Sequence, residues 1–87
     1  MIARDRFIGE MVAWINVRLA PPGVRVEPTT PLFANRVINS IKILELIAWT
    51  ERAIGRPVVD AEIRLDNFFS VERIAAVFVR EVNDAAA

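Results

Sequence analysis

Ser40-Ile41-Lys42-Ile43-Leu44-Glu45-Leu46-Ile47-Ala48-Trp49-Thr50 carries the fold of this chain, because its apolar residues recur at three- and four-residue intervals. Ile43, Leu46, Ile47, Thr50 and Ile54 share one face of a helix, and Ile41, Leu44 and Ala48 share a roughly opposite one, with Glu45 and Arg52 among them. A helix of a small bundle needs one buried stripe. A second stripe means either central burial or a surface kept for a partner. With few helical pieces available to cover both faces, the partner surface is the preferred reading. Asn39 and Ser40 are both good N-cap types, so the helix is expected from about Ser40 to Ile54, with Gly55 and Pro57 closing it.

Upstream, Arg4 to Leu19 reads as a helix that places Phe7 or Ile8, Met11, Val12, Ile15 and Leu19 on one side. Pro21-Pro22-Gly23 ends it. The chain from Pro21 to Asn39 is then a long connection, kept irregular by Pro28 and Pro31 and anchored by Val24, Val26, Leu32 and Phe33. A loop of that length serves either as a crossover between helices or as a binding element, and both readings stand. Downstream, a short helical turn is expected at Asp60-Ala61-Glu62-Ile63. A last helix opens at Ser70 and carries Val71, Ile74, Ala75, Phe78 and Val82 on one face, ahead of a polar and alanine-rich tail. No internal repeat or linker divides the chain. The expectation is an all-α bundle, with three main helices plus one short one, in a single domain over residues 1–87.

Composition limits what such a domain can do. The chain contains no histidine and no cysteine, so it has no imidazole base, no thiol nucleophile and no usual zinc ligand set. Eleven basic residues balance eleven acidic ones with no basic run, which argues against nucleic acid as a partner. Its apolar stretches are short and broken by charge, so membrane insertion is not expected. The N-terminus carries Arg4, Asp5, Arg6 and Glu10 rather than the apolar core of a signal peptide, so the protein reads as cytoplasmic. The scattered carboxylates show no paired arrangement, which argues against an enzyme. Ser40 stands out instead: a hydroxyl at a helix N-terminus, where free N–H groups and the helix dipole favour a phosphate, and a place where another enzyme can attach a group.

Several stretches, in this order and spacing, resemble an acyl carrier protein. Asn39-Ser40-Ile41 resembles the Asp-Ser-Leu that opens the second helix of that family, and Glu45-Leu46 its following Glu-Leu pair. Ile54-Gly55-Arg56-Pro57-Val58 is similar to its end-of-helix segment. Asp66-Asn67-Phe68-Phe69-Ser70-Val71-Glu72-Arg73-Ile74-Ala75 is similar to the start of its last helix, and Thr30-Pro31-Leu32-Phe33 to the segment ahead of its serine. The resemblance spans nearly the whole chain. It implies a four-helix bundle of acyl-carrier type and a stand-alone, monomeric carrier whose Ser40 receives 4′-phosphopantetheine from coenzyme A through a phosphopantetheinyl transferase. That enzyme brings the base and the magnesium. The arm then carries acyl or aminoacyl thioesters, loaded by a ligase or synthase and unloaded by downstream transferases of a lipid, polyketide or related pathway. Asn39, Ile41, Leu44, Glu45 and Ala48 are the implied partner-recognition residues.

Two departures from the family pattern bear on partners. Asn39 stands where the family has an aspartate, and Arg36, Lys42 and Arg52 dilute Glu45 and Glu51 on a helix that is usually acidic. The competing readings are an aminoacyl or peptidyl carrier, and an unmodified helical interaction module of the same shape. Ile41, Leu44 and Ala48 are expected to form an exposed ridge flanked by Arg36, Lys42, Glu45 and Arg52. Trp14 is expected to pack on the first helix. Trp49 is left between core and interface.

Overall fold

The computed structural model describes residues 2–79. They form three α-helices, α1 (Arg4–Arg18), α2 (Lys42–Ile54) and α3 (Val71–Phe78), with one-turn 3₁₀ helices at Asp60–Glu62 and Leu65–Phe68 between the last two. No strand occurs among the described residues. The chain is therefore a small helical bundle, with a radius of gyration of 12.6 Å. The second 3₁₀ turn was not legible in the sequence. Val82 and the C-terminal tail lie outside the described residues.

The core gathers one stripe from each helix. Phe7, Met11 and Ile15 of α1 meet Leu46 of α2, Phe68 of the second 3₁₀ turn, and Val71, Ile74, Ala75 and Phe78 of α3. α1 and α2 meet through aromatic rings. Trp49 stacks on Trp14 at 5.8 Å and sets its ring edge-to-face with Phe7 at 5.4 Å. Trp49 is thus half-buried between two helices, which resolves its place. On the inner face of α2 only Leu46 and Thr50 are fully buried, while Ile43, Ile47 and Ile54 are half-buried against the core. The Thr50 hydroxyl is satisfied by donating to the Leu46 carbonyl at 2.8 Å. α2 ends at Gly55, whose φ of 74° is the left-handed conformation that glycine adopts without steric cost.

The long connection is ordered because its backbone groups find partners. Asn16 of α1 brackets Val26, donating to its carbonyl at 3.0 Å and accepting from its N–H at 2.7 Å. The Leu32 N–H donates to the Phe69 carbonyl, and the Glu72 N–H donates to the Pro28 carbonyl, both at 2.9 Å. The second of these supplies a partner for one of the orphan donors at the start of α3, and Ser70 supplies another by accepting from the Arg73 N–H. Buried Val26, Leu32, Val37 and Ile38 carry the connection across the core. Val37 and Ile38 are additions to the anchors read from sequence.

Between Leu32 and Val37 the chain makes one helical turn and stops. The Arg36 N–H donates to the Phe33 carbonyl and the Val37 N–H to the Leu32 carbonyl, while Leu32 and Val37 are both fully buried. That hydrogen-bond pair with its apolar contact is a Schellman arrangement. It places Arg36 at φ 58°, where glycine is usual.

Candidate functional site

Asn39 determines how Ser40 is presented. Its side-chain oxygen accepts from the N–H groups of Ile41 at 2.9 Å and Lys42 at 2.8 Å, and its carbonyl accepts from the Ile43 N–H at 3.0 Å. Asn39 is therefore the capping side chain of α2. The regular helix begins at Lys42, two residues later than expected, because Ser40 and Ile41 form a tighter first turn in which the Leu44 N–H reaches the Ile41 carbonyl at 3.1 Å. Capping by Asn39 leaves the Ser40 hydroxyl without a structural duty. Ser40 is exposed, and its hydroxyl engages no partner among the described residues.

Ser40 lines a cleft of about 290 Å³. Phe33, Ile43, Ile63, Leu65 and Phe68 form its apolar lining, and Asn39, Ser40 and Arg64 its polar part. The cleft brings together the end of the long connection, the start of α2 and the second 3₁₀ turn. Arg64 and Leu65 were not singled out from sequence, and Ile63 was read only as part of a short helical turn. They lie more than twenty residues from Ser40, and no local pattern links them to it. A larger cavity of about 510 Å³, lined among others by Ile54, Arg56, Val59, Glu62 and Phe78, opens beside the C-terminal end of α2, and no hydroxyl or thiol side chain lines it among the described residues.

The ridge beside Ser40 is partly as expected. Ile41 and Leu44 are 73% and 66% exposed, and Glu45 is exposed beside them. Ala48 is half-buried, so the ridge is shorter than the expected Ile41-Leu44-Ala48 stripe. Across the cleft, Leu65 is 70% exposed and extends the apolar surface to the other side of Ser40.

Lys42 does not flank the ridge. Its ammonium donates to the Leu19 carbonyl at 2.8 Å, at the C-terminal end of α1, where the helix dipole favours a cation. Arg36 and Arg52 remain exposed. Glu51, counted among the acidic residues of α2, accepts from the Val58 N–H at 2.8 Å and fastens the chain after the helix. The Arg56 guanidinium pairs with both carboxylate oxygens of Glu62 at 3.0 and 3.1 Å, a hydrogen bond that holds its pKa above the ordinary value.

Among the described residues, no three acidic side chains gather as a metal site would need, and no helix is long and apolar enough to cross a membrane. No model of a known protein family matches the chain, and no curated protein matches it.

Proposed function

We propose that this protein is an acyl-carrier-type bundle that bears 4′-phosphopantetheine on Ser40 and passes acyl thioesters between the enzymes of a biosynthetic pathway. The observation that carries the reading is the freedom of the Ser40 hydroxyl. A serine at the start of a helix ordinarily caps it. Here Asn39 caps instead, and Ser40 stands exposed on the wall of an apolar cleft and beside the Ile41–Leu44 ridge.

The residues present suit the group. An exposed hydroxyl is what a phosphodiester linkage needs, and the absence of histidine is no obstacle, since the base belongs to the modifying enzyme. Ser40 Oγ attacks the phosphorus of coenzyme A that bears the pantetheine, its proton passes to the transferase, and adenosine 3′,5′-bisphosphate leaves with the broken P–O bond. Once bound, the arm supplies a terminal thiol for thioester formation. The chain's own part is to hold Ser40 at the end of a capped helix and to offer Ile41 and Leu44 as apolar contacts for the transferase, the loading ligase or synthase and the downstream transferases. Glu45 adds one charge to that surface.

A fluorescent coenzyme A conjugate and a broad-specificity phosphopantetheinyl transferase test the assignment. The wild-type chain is expected to become labelled, and Ser40→Ala to stay dark while keeping its helical circular dichroism. Equal labelling of the two proteins would place the attachment elsewhere. An unlabelled wild type with every transferase tried would favour the unmodified interaction module.

A further inference from the structure

The geometry points to Arg64 as the residue that holds the phosphodiester on Ser40, an inference that rests on the proposed attachment at Ser40. Three observations carry it. Arg64 and Ser40 line the same cleft, and Arg64 is the one charged residue among the described residues that line it. The other described residues of that lining are apolar except for neutral Asn39 and Ser40, so among them no carboxylate competes for the guanidinium. Arg64 also has no side-chain hydrogen bond or ion pair among the described residues.

The surroundings explain why this arginine is left over. Glu62, two residues away, is held in a two-point pair by Arg56 and also accepts from the Val59 N–H at 3.1 Å. The backbone at Arg64 is fixed between the two 3₁₀ turns. Its N–H donates to the Glu62 carbonyl and its carbonyl accepts from the Asn67 N–H, both at 3.0 Å. A cation with an anchored backbone and, among the described residues, no side-chain partner shares its cleft with a strong anion once that serine is esterified. Guanidinium matches phosphate oxygens in two-point geometry, and tethering replaces a weak bimolecular encounter with an intramolecular one.

The test compares thermal midpoints of apo and phosphopantetheinylated protein for wild type, Arg64→Gln and Arg64→Lys, with ³¹P spectra of the modified forms. Attachment is expected to raise the wild-type midpoint by a few degrees, the scale of an exposed ion pair in a domain of this size. The increment is expected to shrink with added salt, to vanish in Arg64→Gln and to survive in part in Arg64→Lys. The phosphodiester resonance should shift between wild type and Arg64→Gln. The same increment and the same resonance in Arg64→Gln would overturn the inference while leaving the Ser40 assignment intact. An equal rise when inorganic phosphate at the protein's own concentration is added to the apo protein would reduce Arg64 to a free-anion site and also overturn it. A wild type that gains no mass with coenzyme A and transferase removes the attachment reading, and this inference with it.

Discussion

Asn39 caps α2 and leaves the neighbouring Ser40 hydroxyl without a partner among the described residues, and the worth of that cap can be measured. Asn39 closes the first turn of α2 with its side chain, so Asn39→Ala is expected to cost about 1 kcal/mol in denaturant unfolding. Asn39→Asp keeps an equivalent cap and introduces the charge that the resembled acyl carrier pattern has at this position. It is expected to hold stability within a few tenths of a kcal/mol, to be checked in the same unfolding experiment, and to speed modification by a general transferase, read as initial labelling rate. A slower rate for Asn39→Asp would mean that this chain is fitted to a transferase that selects the neutral residue. The candidate serine was legible from its neighbours in sequence. The roles of Lys42 and Arg64 were not, because each is set by groups more than twenty residues away: the Leu19 carbonyl for one, the Ser40 cleft for the other. Arg36 hid the Schellman turn for a related reason, since the turn is usually announced by a glycine.

α2 is the element on which both core and surface depend. Its two stripes were legible from helical spacing alone, but spacing gives direction and not depth. Leu46 is fully buried and Ile47, one position on, is half-buried. Leu46→Ala is therefore expected to cost about 2–5 kcal/mol, and Ile47→Ala distinctly less, in chemical denaturation. Equal losses would mean that Ile47 packs as deeply as Leu46. On the opposite face, Leu44→Glu is expected to leave the unfolding midpoint and Ser40 modification unchanged while severely impairing loading by the cognate ligase or synthase, because Leu44 is 66% exposed. Normal loading of that variant would remove the ridge from the interface. The long connection was read as irregular. Its order comes from hydrogen bonds to α1 and α3 that no local pattern announces, such as the Asn16 bracket on Val26 and the Glu72–Pro28 bond.

At the scale of the whole molecule, eleven positive and eleven negative side chains leave no net charge to steer partners, and several of the charged groups are already committed within the fold. Lys42 is held at the end of α1, Glu51 at Val58, and Arg56 and Glu62 by each other. On the proposed function, docking is expected to rest on the apolar surface beside Ser40, so loading by a cognate enzyme is expected to change little between low and physiological ionic strength; a steep fall would show charge steering. An all-helical bundle followed from periodicity, and its packing around large aromatic rings followed only from the fold. The central claim is that the freed hydroxyl of Ser40 is the point of attachment. Intact-mass analysis after incubation with coenzyme A and a broad-specificity transferase, followed by fragmentation of the peptide containing Ser40, tests it most directly. The account predicts a gain of one phosphopantetheinyl group on wild type, located on Ser40, and no gain on Ser40→Ala. A wild type of unchanged mass, or a group located on any other residue, would contradict it.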